Sequence, residues 1–191
     1  MMMAMTRAIL RSTASFTFAV MTPEDILAQT NEDVYEDYNR VVTFTTVFVG
    51  QYELDPNRRD RLTIANAGHS PVLYCPHGHP PRLLEADAPP LGVLSPIVAP
   101  NHTIQPQAQR CDHRRHRRFS EAENSHGDIF GYERLLELAD QTRHLSAREI
   151  MLAFSDAATQ FEKDSPQHDD RTIVVIKRLA LPNEDMPHAP A

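Results

Sequence analysis

The run from Arg40 to Cys75 constrains the fold of this chain more than any other. "RVVTFTTVFVGQYEL", Arg40 to Leu54, is dense in β-branched and aromatic residues and reads as a long strand. "DPNRRD" follows as a turn, and "RLTIANA" returns as the partner strand. A small polar bend, Asn66-Ala67-Gly68-His69, then leads into strand-like "PVLYC". The turn "PHGHP", a short strand "RLLEA", and a proline-led loop "ADAPPLGVL" entering another short strand complete the block. Such a series of short connections predicts antiparallel pairing.

Helical patterns flank these strands. Met1 to about Ala14 is rich in Ala and Met, good helix formers. Thr22-Pro23-Glu24-Asp25 reads as a helix start, with a threonine cap, a proline in the first turn and two acids near the positive end. Ile26, Leu27, Val34 and Tyr35 supply its apolar stripe. A third helix is predicted from about Tyr132. A fourth begins where Ser146 and Glu149 have capping-box spacing, with Ile150, Phe154, Ala157 and Phe161 on one face. "RTIVVIKRLAL" closes the series as a strand, and a polar, proline-bearing tail from residue 180 reads as disordered. Strands grouped between helices predict an α+β class, with helices packed on antiparallel sheets.

At 191 residues the chain suits one domain. No apolar run approaches a membrane span, and Thr6, Arg7, Arg11 and Ser12 interrupt the apolar N-terminus where a signal peptide needs continuity. The two cysteines are far apart and lack Cys-x-x-Cys spacing, so they give no disulfide framework, and a cytoplasmic location is the default. A net charge of −7 argues against a nucleic-acid partner. "QRCDHRRHRRF", Gln109 to Phe119, breaks that acidic trend with five arginines and two histidines, and by itself reads as a solvated basic loop.

Several residues invite a chemical reading. At the bend, Gly68 suits a positive φ, and His69 either braces a buried corner through hydrogen bonds or works near a substrate. Asp169 and Asp170 stand together ahead of the last strand, a solvated turn or a cation site. Cys75, His77 and His79, with Cys111, His113 and His116, could supply zinc ligands, although Cys-x-His-x-His is not a common zinc spacing.

Four stretches in order carry a family likeness. "TFTTVFVGQYELD" followed by "LTIANAGHSPVLY" resembles the hairpin and Asn-Ala-Gly-His corner of bacterial SpoIIE-type phosphatases, a branch of the metal-dependent protein phosphatase 2C family. "PPLGVL" and "SEAENSHGDIFGYERL" resemble that family's next two segments, and "DDRTIVVIKR" resembles its closing Asp-Asp-x-Thr strand. The resemblance covers most of the chain up to residue 179. It implies an antiparallel β-sandwich flanked by helices and hydrolysis of phosphoserine or phosphothreonine, often on an anti-sigma-factor antagonist. It also implies two Mn²⁺ or Mg²⁺ ions that activate a bridging water. Carried over by position, it gives Asp169 as a metal ligand with Asp170 beside it, Asn66 and Gly68 in substrate binding, and His69 in catalysis.

Two departures bear on activity. Family members begin with Gly-Gly-Asp and Asp-x-Ser-Gly-x-Gly before an Ala- and Met-rich helix, and "MMMAMTRAILRS" resembles that helix. The chain is therefore expected to start after the first metal-binding aspartates. Secondly, the family has a buried strand and Thr-Asp-Gly where this chain reads "RCDHRRHRRF". Those ten residues permit the codons CGA TGT GAC CAT CGT CGT CAC CGA CGG TTC. Read one nucleotide later, they give Asp-Val-Thr-Ile-Val-Val-Thr-Asp-Gly, as a pair of compensating frameshifts would produce. In the frame given, a guanidinium near Arg117 replaces the aspartate, and it repels a divalent cation. Five arginines also resist burial, so residues 105–119 are expected to loop out and leave their sheet neighbours unpaired. Sequencing the gene tests the shift: the predicted outcome is codons that yield Thr-Asp-Gly in the next frame, and codons that cannot do so reject it.

Overall fold

The computed structural model describes residues 2–17, 21–54, 60–105, 110–115, 119–163 and 172–178. They form two compact units, one from Met1–His69 with Glu85–Gln105, the other from Ser70–Leu84 with Pro106–Ala191.

The first unit packs two helices on a three-stranded antiparallel sheet. Helix α1 spans Met2–Thr17 and α2 spans Pro23–Arg40. Strands β1 (Val47–Glu53), β2 (Arg61–Ala67) and β5 (His102–Ile104) lie in the order β1-β2-β5. The hairpin register pairs Val47 with Ala67 and Glu53 with Arg61, as its two apolar runs require. Leu27, Val34 and Tyr38 of α2 are fully buried with Ala65 and Ala67 of β2, the stripe expected for this helix continued by one turn. That continuation corrects one boundary. Arg40–Leu54 was read as a single strand, but α2 runs to Arg40 and β1 begins at Val47. The buried ring of Tyr38 holds the last helical turn in the core, and Val42, at φ 49°, then turns the chain. β5 was not foreseen, because His102–Ile104 is too short to show a period.

The start of α2 is built as its sequence implies. Thr22 caps the helix, its hydroxyl accepting from the Asp25 N–H, while the Asp25 carboxylate accepts from the Thr22 N–H at 2.9 Å and its hydroxyl at 2.7 Å. Those bonds, the backbone one first, lower the Asp25 carboxyl from its ordinary 3.8.

The second unit places helices α3 (Gly131–Thr142) and α4 (Ala147–Phe161) on an antiparallel sheet. That sheet has the order β4-β3-β6-β7, from Arg82–Leu84, Val72–Cys75, Arg110–Arg115 and Ile173–Arg178. Leu73, Leu135, Ile150 and Phe154 form its core, and the Phe130 and Phe161 rings meet edge to face with centroids 5.3 Å apart. Ser146 and Glu149 complete a second capping box, and the Ser146 hydroxyl and N–H hold the Glu149 carboxyl below its ordinary value.

Both units therefore show the expected α+β class with antiparallel sheets. The expected loop at residues 105–119 is corrected. Residues 110–115 form β6, paired with β3 on one edge and with β7 on the other. Ladder hydrogen bonds join backbone groups whatever the side chains, and without β6 both neighbours would keep open edges. The short strand expected after Pro90 is replaced by a turn at residues 92–96.

Asp25 and Glu149 have folded-state values lowered from their ordinary 3.8 and 4.5, so their contribution to stability is complete above about pH 5 and fades as pH falls through the lowered values. Exchanging Asp25→Asn and Glu149→Gln together should flatten that part of the acid limb in urea titrations between about pH 5 and 2. An unchanged limb would contradict the capping assignment.

Candidate functional site

The bend between β2 and β3 is held by its own first residue. Asn66 is buried, with 4% of its surface exposed. Its Oδ1 accepts from the His69 N–H at 2.9 Å, and its Nδ2 donates to the His69 carbonyl at 3.2 Å. One amide side chain thus satisfies both main-chain groups of His69. The imidazole is half-buried and oriented by a second contact, Nδ1 to Thr46 Oγ1 at 3.0 Å.

Gly68 serves the corner twice. Its φ of +65° is one that side chains other than glycine's rarely tolerate. A Cβ there would also lie 2.5 Å from Pro90 Cγ. The corner therefore rests directly on the loop that carries "PPLGVL". That loop is fixed from the other side by α2. Asn31, 1% exposed, accepts from the Gly92 N–H and donates to the Leu94 carbonyl, both at 2.9 Å. Gly92, at φ +88°, lies against the Tyr38 ring, where a Cβ would approach Cδ2 to 2.3 Å. Thr45 and Leu91 exchange backbone hydrogen bonds at 3.1 and 2.9 Å. The Tyr38 hydroxyl donates to Thr45 Oγ1 at 2.9 Å and meets Thr6 Oγ1 of α1.

A cleft of about 470 Å³ opens beside Thr46, lined by Ala4, Thr6, Arg7, Leu10, Thr45 and Val47. Most of this lining is apolar surface, and among the described residues Arg7 is its one charged side chain. The structure thus brings Asn66, Gly68 and His69 together and adds Thr46, Asn31, Tyr38 and Pro90, which sequence reasoning missed. Pro90 and Gly92 were visible only as part of a family-like segment. Asn31 and Tyr38 gave no sign beyond lying on a helix, since their partners are about sixty residues away in the chain for Asn31.

Asp169 and Asp170, the expected metal ligands, lie outside the described residues. Among the described residues no group of three or more His, Cys, Asp or Glu is arranged to hold a metal ion. The corner itself offers an amide, an imidazole and a hydroxyl, a poor match for ions that prefer carboxylate oxygen, so no step through a metal is assigned to it. Of the alternative zinc ligands, Cys75 is buried in the core of the second unit, whereas His77 and His79 are exposed in the turn after β3.

Several solved structures share this fold. The SiaA-PP2C domain of Pseudomonas aeruginosa matches with a TM-score of 0.69 at 21% identity, over 91% of this chain and 68% of that one. The RsbU and RsbW domains of Rv1364c from Mycobacterium tuberculosis match at 0.63 and 23%, over 93% of this chain and 47% of theirs. The phosphatase domain of the cell fate determinant SpoIIE from Bacillus subtilis matches at 0.57 and 12%, over 95% and 75%. These likenesses define the fold as that of a protein phosphatase 2C-like domain. The sequence is more specific: residues 1–110 match the family described as stage II sporulation protein E, and the chain belongs to that SpoIIE family. No curated protein matches it.

Removing the clasp should cost more than removing the imidazole it positions. Asn66→Ala removes the two hydrogen bonds that Asn66 makes to part-buried main-chain groups of His69 and should destabilise the chain by about 1–2 kcal/mol. His69→Ala loses one half-buried contact and should cost about 1 kcal/mol or less. Urea unfolding of both variants tests this, and the reverse order would contradict the assignment.

Proposed function

We propose that this chain derives from a metal-dependent serine/threonine phosphatase of the SpoIIE type and is catalytically impaired as written. Its substrate class is a phosphoserine or phosphothreonine on a cytoplasmic signalling protein such as an anti-sigma-factor antagonist. Family membership carries the first half of this reading. The likeness to RsbU and RsbW domains and to a cell fate determinant supports a signalling substrate. The impairment rests on one sequence observation: His116-Arg117-Arg118 stands where the family has Thr-Asp-Gly.

Two Mn²⁺ or Mg²⁺ ions would supply an activated water and neutralise charge on the departing oxygen. Asp169 and Asp170 are the carboxylates this chain offers them by resemblance. A guanidinium at the Thr-Asp-Gly position cannot donate an oxygen and opposes the cation. The chain's own contribution at the corner is orientation. Asn66 fixes the His69 backbone and Thr46 orients its ring, and this single pose supports a role for His69 beside a phosphoryl group.

A second reading, a non-catalytic domain that binds the same phosphoprotein, is favoured by the make-up of the first unit. Its clasp, proline seat and tyrosine contact are uncharged and need no metal to form.

Both readings meet in one experiment. The purified chain, shown to be folded by circular dichroism, is mixed with excess Mn²⁺ and a phosphoserine-containing antagonist protein. The expected result is no phosphate release above the metal-free control. Binding without release would select the non-catalytic domain, and EDTA-sensitive hydrolysis would overturn the impairment.

A further inference from the structure

The cleft between α1 and the residues that lead into β1 is more apolar than its residue names suggest. Three threonines line it, and each hydroxyl is already engaged. Thr6 Oγ1 meets the Tyr38 hydroxyl, which donates to Thr45 Oγ1 at 2.9 Å, and Thr46 Oγ1 bonds His69 Nδ1 at 3.0 Å. The surface left to a ligand is mainly methyl and methylene, from Ala4, Leu10, Val47 and the threonine side chains. Its volume of about 470 Å³ lies within the roughly 300–1,000 Å³ of pockets that hold small ligands, with room for a large apolar side chain.

Arg7 is the exception to this lining. It stands three residues after Ala4 and three before Leu10, so all three share one face of α1. Its side chain is exposed, and among the described residues no carboxylate pairs with it. A guanidinium held beside apolar surface attracts an anion from outside, and its planar fork suits a carboxylate.

We propose that this cleft is a specificity site for the protein partner of the corner. It takes a large apolar side chain of that partner, and Arg7 pairs with the carboxylate of an acidic residue next to it. The inference rests on the phosphoprotein reading above, because Thr46 joins the two places: its side chain lines the cleft while its hydroxyl orients His69. A segment seated in the cleft therefore brings its neighbouring residues to the corner. The apolar contact supplies most of the discrimination, since an exposed ion pair contributes little and is screened by salt.

Fluorescence anisotropy tests this with the full chain and labelled Gly-Ser peptides that carry one phosphoserine and a Leu-Glu pair, the pair placed at several spacings from the phosphoserine. A narrow range of spacings should bind best. At that spacing, serine in place of the leucine should weaken binding about tenfold or more, and glutamine in place of the glutamate several-fold at low salt. Arg7→Gln should abolish the preference for glutamate and keep that for leucine. Ala4→Leu, which fills the cleft from an exposed helical position, should abolish the preference for leucine. No measurable binding, or binding indifferent to both leucine and glutamate at every spacing, would overturn the inference. So would an Arg7→Gln chain that keeps the glutamate preference and instead loses the distinction between phosphoserine and serine. Leucine and glutamate preferences that persist when serine replaces phosphoserine would uphold the cleft and remove the phosphoprotein reading. The peptide comparison on the unaltered chain stands even if a variant fails to fold.

Discussion

The contact on which the first unit depends is the seating of α2 on the turn after Pro90. Asn31 bonds both the amide of Gly92 and the carbonyl of Leu94, and the Tyr38 ring fills the space that any side chain at residue 92 would need. That seat fixes Leu91 against Thr45 and sets Pro90 beneath Gly68. The corner holding Asn66 and His69 therefore takes its position from a helix more than twenty-five residues earlier in the chain. Each member is small, buried or uncharged, so the arrangement is held by shape and by saturated hydrogen bonds, with little sensitivity to salt.

The second unit depends on a different economy. Its helices bury a conventional apolar core around Leu73, Leu135 and Phe154, with the Phe130–Phe161 ring contact at its margin. Its sheet is completed by a strand whose residues no pattern rule would select. A backbone ladder can recruit such a strand because the hydrogen bonds belong to the peptide groups. The proposed loss of phosphatase chemistry follows from the residues just past that strand, where the family's aspartate gives way to arginine.

Much of this was legible beforehand for physical reasons that can be named. The capping boxes at Thr22 and Ser146 were visible because a cap and its partner lie three residues apart. The hairpin was visible because β-branched residues run on both sides of a turn. Asn66, Gly68 and His69 stood out together because a glycine at positive φ and a side chain that caps its own turn are local devices. Long-range partners left no such trace. Nothing near Asn31 points to Gly92, and nothing near β3 points to its pairing with β6. The strand at residues 110–115 is hidden in the sequence because its charge pattern predicts a loop, whereas backbone pairing decides the outcome. The end of α2 was misplaced because Val41, Val42 and Phe44 have strand-like character yet stand exposed in the turn.

As proposed, the chain keeps a phosphatase fold while the arginine-rich segment compromises its cation site. Titrating the folded chain with Mn²⁺ and following the free ion by electron paramagnetic resonance addresses that claim without relying on any substrate. Free Mn²⁺ should rise in proportion to what is added, with no pair of ions taken up tightly. Two equivalents withdrawn at micromolar concentration, and released by a chelator, would contradict it.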